Sequence, residues 1–143
     1  MVKSKKSKYR VFLVDDHPLT RYGLSHLIER ETDLVVCGGS DCGLAALTAV
    51  GIAKPHAVVV GVASKKGRGV SLIKDLHALD PNLAILVLSD QEESSYAKQC
   101  LRAGAKGYLL MGEATTTVLH ALRRVIAGEI MAAPSKVGKK GSD

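Results

Sequence analysis

Two carboxylates stand side by side in "VDDHP" (residues 14–18), directly after the apolar run "YRVFLV" (9–14). Adjacent carboxylates at the carboxyl end of a strand are hard oxygen ligands, a donor set that suits a hydrated Mg²⁺. The plainer alternative is that one of Asp15 and Asp16 caps the following helix and the other is solvated; the pair alone does not separate the two. Ser89 follows another apolar run, "LAILVL" (83–88), where a hydroxyl suits a phosphoryl oxygen or merely starts a turn. A third run, "HAVVVG" (56–61), ends on Gly61, and its loop carries Ser64, Lys65, Lys66 and Arg68.

Such residues meet only if the elements behind them bring the strand ends together. The pattern alternates. After the strand at 9–14, Pro18 suits the first turn of a helix with Leu19, Leu24, Leu27 and Ile28 on one face. "DLVVCG" (33–38) reads as a second strand, and Asp41 as the cap of a helix running through Ala53. The strand at 56–61 precedes a helix at 70–79, and the strand at 83–88 precedes a helix that starts near Asp90 and Glu93, a capping-box pair, and ends at Gly104. "GYLLM" (107–111) is a fifth strand, and a last helix from about Thr115 to Gly128 buries Val118, Leu119, Leu122, Val125 and Ile126. The predicted fold is α/β: a doubly wound, five-stranded parallel sheet of flavodoxin-like order 2-1-3-4-5 with five helices. In such a sheet ligands bind beyond the carboxyl ends of the strands, near the switch point between strands one and three.

Composition removes several classes of function. The chain of 143 residues is one domain with an aliphatic core, having one Phe and no Trp. Its net charge of +6 lies wholly in the ends, +4 in residues 1–8 and +2 in residues 136–143, so residues 9–135 are neutral. Solvated termini explain that better than a nucleic-acid surface. Cys37, Cys42 and Cys100 are odd in number, lack metal-ligand spacing and read as small buried hydrophobes of a reducing compartment. No apolar stretch is long enough to span a bilayer and the N-terminus lacks a signal-peptide core, so a soluble cytoplasmic protein is expected.

The segments "VFLVDDHPLTRYGLSHLIE", "AILVLSD" and "LRAGAKGYLLM" together resemble the receiver domain of bacterial two-component response regulators, nearest to the LuxR/NarL type. The resemblance covers about residues 9–130, leaving 1–8 as a basic tail and 131–143 as a linker or tail. It implies that Asp15 and Asp16 are the acidic pair that holds Mg²⁺. Ser89 is then the hydroxyl residue that hydrogen-bonds the phosphoryl group, Tyr108 the aromatic that switches with it, and Gly69 the glycine after the third-strand loop.

Two positions depart from the family. The phosphate-accepting aspartate falls on Gly61 and the strand-five lysine on Met111. Phosphoryl transfer needs a nucleophilic oxygen in line with phosphorus, and glycine supplies none. A methionine thioether cannot stabilise phosphoryl charge as an ammonium does. Acceptor, lysine and the following loop differ together, which favours a naturally degenerate receiver over an engineered knock-out. The catalytic site is therefore expected to be lost, and any Mg²⁺ site at Asp15 and Asp16 weak or lost. Ser64 and His17 are poor replacements for the acceptor. Lys65, Lys66 or Arg68 could act as internal counter-ions to the acidic pair, or be solvated loop charges. A carboxylate brought to position 61 from elsewhere in the chain would overturn this reading.

The resemblance implies a pseudo-receiver that is not an enzyme and acts by phosphorylation-independent dimerisation or partner binding. Its surfaces would be helix one with helix five, or the face of helix four, strand five and helix five. It would be the regulatory part of a LuxR-type transcription regulator or a stand-alone receiver, contacting DNA only through a domain not in this chain and no membrane. Two alternatives stay open: a Mg²⁺-dependent phosphohydrolase using Asp15 and Asp16, and a small-molecule-sensing module with its hollow at Gly61 and Met111.

Overall fold

Five β-strands and five α-helices alternate in the computed structural model, which describes residues 7–62, 68–90, 94–113 and 115–131. The strands are β1 (Tyr9–Val14), β2 (Leu34–Ser40), β3 (Ala57–Val62), β4 (Ala84–Ser89) and β5 (Gly107–Leu110). The helices are α1 (Pro18–Glu29), α2 (Leu44–Ala53), α3 (Arg68–Leu79), α4 (Ser94–Ala103) and α5 (Thr115–Ile126). The strands form one parallel sheet in the order β2-β1-β3-β4-β5, as the alternation predicts.

Strict two-residue periodicity sorts the core. In β1, β3 and β4, Phe12, Val14, Val58, Val60, Val62, Ile85 and Val87 face one side, against α2, α3 and α4. Val11, Leu13, Ala57, Val59, Ala84, Leu86 and Leu88 face the other, against α1 and α5. Both faces are covered, so these three strands must be apolar at nearly every position. Burying the β-branched and leucine side chains contributes about 1.5–3 kcal/mol each.

The helix starts needed correction. Leu19 is 81% exposed, whereas Ile28 is buried and Leu24 and Leu27 pack against the core. Nine residues separate Leu19 from Ile28, about 180° around a helix, so the two cannot share a face. Asp41 is not the cap of α2: its Oδ1 accepts the Gly43 N–H at 3.1 Å, and Gly43 is the N-cap. The Asx turn consumes two residues before helical geometry begins. Pro18 does open α1 at its first turn. Of the capping-box pair proposed for α4, Glu93 lies outside the described residues. Cys100 is buried, but Cys37 and Cys42 are only half-buried.

Candidate functional site

All the strands point their carboxyl ends to one edge of the sheet, and a cavity of about 300 Å³ opens there. Asp15, Asp16, Cys42, Gly61, Arg68 and Met111 are among its walls. The topology thus gathers residues more than ninety positions apart, because β1 and β3 are neighbours and β5 ends beside β4.

The two carboxylates diverge. Asp15 is 2% exposed. Its Oδ1 accepts the His17 backbone N–H at 2.8 Å and lies 3.1 Å from His17 Nδ1, while Arg21 donates to the Asp15 carbonyl. Its Oδ2 is buried with no hydrogen-bond partner. Asp16 is exposed, and its Oδ1 accepts the Cys42 backbone N–H at 2.8 Å. That bond, more than the charges of Arg68 and His17, holds the Asp16 carboxyl below the usual aspartate range.

Gly61 is buried within β3, paired with Leu88 of β4. A Cβ built on it would overlap Asp15 Oδ2 and lie 2.8 Å from Asp15 Cγ. The Asp15 carboxylate lies in the space that a side chain at 61 would take. A carboxylate from elsewhere in the chain therefore does occupy this spot, which meets the condition set above against the reading that no oxygen stands there; a phosphate-free reading now rests on the enclosure of this carboxylate and not on the lack of an oxygen. It is enclosed there, with the unpartnered oxygen turned away from solvent, so it is not presented to an incoming phosphorus atom as it stands.

Ser89 closes β4 in full burial, and its carbonyl accepts the Met111 N–H at 2.8 Å. Tyr108 is 1% exposed and meets Tyr96 edge to face, with ring centroids 6.2 Å apart. Met111 lies in the turn after β5 and is exposed. Gly69, in the first turn of α3, has no room for a side chain: a Cβ would come within 2.6 Å of Val62 Cγ1 and 2.9 Å of the Tyr96 hydroxyl. Arg68 reaches the cavity from the same turn. Ser64, Lys65 and Lys66 lie outside the described residues.

Cys42 was missed as a site residue. Besides holding Asp16, it directs Sγ toward the Gly61 carbonyl at 3.7 Å. Burial first, and then the charge of Asp16, push its thiol up to about 12. The signal was available: Cys42 lies just beyond the carboxyl end of β2, an edge strand whose end faces the same side of the sheet as those of β1 and β3. For the phosphohydrolase alternative, no group of three His, Cys, Asp or Glu side chains able to hold a metal occurs among the described residues. Nor is any described helix long and apolar enough to cross a membrane.

Comparison with known proteins adds a family to this geometry. Residues 11–123 match the family described as the response regulator receiver domain. The chain is 32% identical over 124 residues to the uncharacterised transcriptional regulatory protein YxjL of Bacillus subtilis, covering 87% of this chain and 57% of that protein. It is 34% identical over 119 residues to the virulence factors putative positive transcription regulator BvgA of Bordetella pertussis, covering 83% and 56%. The chain thus spans little more than half the length of these relatives. Among solved structures it resembles a LuxR-family two-component response regulator from Aurantimonas sp. SI85-9A1, with a TM-score of 0.81 at 28% identity over 90% of this chain and 91% of that one. The signal receiver domain of NarL from Mycobacterium tuberculosis gives a TM-score of 0.79 at 26% identity, covering 87% and 100%.

Proposed function

Since the chain belongs to the response regulator receiver family, with relatives of the LuxR/NarL type, we propose that it is a receiver that works without an acyl phosphate. One observation carries the reading: the carboxylate at position 61 is that of Asp15, and it is enclosed there. Met111 supplies no ammonium to a phosphoryl group.

The family implies a bound Mg²⁺, and the residues as arranged do not fit one. Mg²⁺ requires a nearly ideal octahedron of oxygens. Here Asp15 Oδ1 is committed to His17, Asp15 Oδ2 is enclosed, Asp16 Oδ1 is committed to Cys42, and the carboxylate that the family places at position 61 is missing.

The domain then acts through its surfaces, as the regulatory part of a LuxR-type transcription regulator. Leu19 and Tyr22 of α1 are 81% and 71% exposed, but Leu44 and Ile52 of α2 are as open, so exposure leaves both the α1 and α5 side and the face of α4, β5 and α5 for dimerisation or partner binding. Any DNA contact would belong to an effector domain outside these 143 residues. Tyr108 is held buried, which fits a switch fixed in one position.

The test is incubation with acetyl phosphate and Mg²⁺, and separately with beryllium fluoride. Intact mass is expected to stay unchanged, and the amide signals of Ser89 and Tyr108 to stay in place. A phosphoryl adduct, on Asp15 above all, or a fluoride-dependent shift would overturn the reading.

A further inference from the structure

Alone of the five helices, α2 carries no charged residue; Asp41 precedes it, Lys54 follows it, and everything between them is uncharged. A helix that is apolar all round belongs in an interior. The inner side of α2 is in one: Ala46 and Val50 are buried, and Leu47, Ala49 and Ala53 pack against the core. Its outer side is not. Leu44 and Ile52 are 88% and 77% exposed, with the small Ala45 and Thr48 exposed between them. Leu44, Thr48 and Ile52 recur every four residues and so form one stripe. The ends of that stripe are charged in opposite senses. Asp41 is exposed at the N-terminal end, and Asp16 reaches the same end, where its Oδ1 accepts the Cys42 N–H. Arg10 and Lys54 stand at the C-terminal end. Arg10 already donates to the Ala53 and Lys54 carbonyls, so the helix end has no need of the Lys54 ammonium. Lys54 nevertheless holds a left-handed φ of 50°, which glycine would adopt more easily.

We infer that the outer face of α2 binds a second copy of this chain, with the two α2 helices antiparallel about a two-fold axis at Thr48. A two-fold interface joins one patch to itself, so the patch must be self-complementary, and this one is. An axis at position 48 sets Leu44 against Ile52 of the partner subunit, since the two lie equally far from Thr48 on either side. Asp41 then falls beside Lys54 of the partner subunit, and symmetry forms that pair twice. Such rim charges fix the register and direction of an interface more than its strength. The opposed helix dipoles agree with that direction. Ala45 and Thr48 at the centre are small, which lets the helices approach closely. The inference goes beyond the functional reading above and does not depend on it: α2 keeps this face whether or not position 61 takes up phosphate.

The test is sedimentation equilibrium of the whole chain up to millimolar concentration, with variants of α2 and an α1 control. A reversible dimer is expected, weakened at least tenfold by Ile52→Glu and unchanged by Leu19→Glu. Asp41→Lys and Lys54→Asp should each weaken it as well, because each sets like charges together twice. Mixing those two variants should restore a dimer of one copy of each, since both pairs across that interface are then opposite in sign. Mixing cannot repair a helix damaged by loss of the Asp41 turn, so the rescue reports the interface and not the fold. A chain that stays monomeric would overturn the inference. So would a mixture that associates no more tightly than its components, or a dimer lost in Leu19→Glu and intact in Ile52→Glu, which would belong to α1. A monomer that sediments with phospholipid vesicles and ceases to in Ile52→Glu would assign the face to a membrane and overturn it too. A phosphoryl adduct in the acetyl phosphate experiment would instead remove the functional reading alone, so the two failures are distinguishable.

Discussion

The Asp15 carboxylate lies over the Cα of Gly61, in the space a side chain at position 61 would require. The place of the missing side chain at position 61 is thus taken by the carboxylate of Asp15, at the end of the neighbouring strand. Asp16 faces elsewhere and is held by the Cys42 backbone N–H.

Gly61→Asp should force Asp15 back out, because the new Cβ and the present carboxylate cannot coexist. Two acidic side chains would then crowd a pocket without its lysine, and a loss of about 1–3 kcal/mol is expected from their burial. Urea denaturation measures the loss. A crystal structure of the variant with Asp15 unmoved would contradict the steric argument.

Gly61→Asp combined with Met111→Lys should recover both stability and chemistry. The oxygen nucleophile and the cation return together, and the Asp15 carboxylate turned outward can again join Asp16 at a metal. Acetyl phosphate with Mg²⁺ is expected to give a phosphoryl adduct in the double variant and none in the parent. If the double variant also stays unmodified, the block lies elsewhere than at these two positions.

Cys42 should be a slow thiol. Its pKa of about 12, raised mainly by burial from an ordinary 9.0, leaves the thiolate scarce at pH 8. Alkylation there is expected to be about a thousandfold slower than for an open thiol, since the thiolate is the nucleophile. Asp16→Asn removes a neighbouring negative charge and should speed the reaction. The linkage sign follows from a raised folded value: the stabilising contribution is complete below pH 9.0 and declines as pH climbs from 9.0 toward 12. Iodoacetamide kinetics with peptide mapping would read the rate, and an inflection near pH 8 would refute the assignment.

The sheet was legible because β1, β3 and β4 are apolar on both faces, a pattern that buried parallel strands alone require. The strand-end rule then located Asp15, Gly61 and Ser89 without any geometry. What the sequence could not carry was direction. Nothing in "VDDHP" says that one carboxylate turns inward and the next outward; that is decided by empty space at Gly61 and by a donor on Cys42, 26 residues away. Helix starts were misjudged for a related reason, since Asp41 serves an Asx turn as readily as a cap. Long-range ion pairs were also invisible, as Arg123 shows.

Arg123 stands in the last turn of α5, where a cation suits the helix dipole, yet it reaches across to the α1–β2 connection. Its Nε donates to Asp33 at 2.8 Å and its Nη2 to Glu31 at 2.7 Å. The hydrogen bond from Arg123 lowers the Asp33 carboxyl below its ordinary 3.8. A depressed folded value places the stabilisation above pH 3.8, with loss as pH falls through the lower folded value. The groups are partly solvated, so screening limits the pair to about 0.5–1 kcal/mol at pH 7. Arg123→Ala should cost that much in urea denaturation at pH 7 and markedly less at pH 2. Arg123→Lys should recover only part, since a single ammonium cannot meet both carboxylates in the forked geometry of a guanidinium. An Ala variant whose deficit is equal at both pH values would show that packing of the arginine stem, and not charge, ties α5 to this connection.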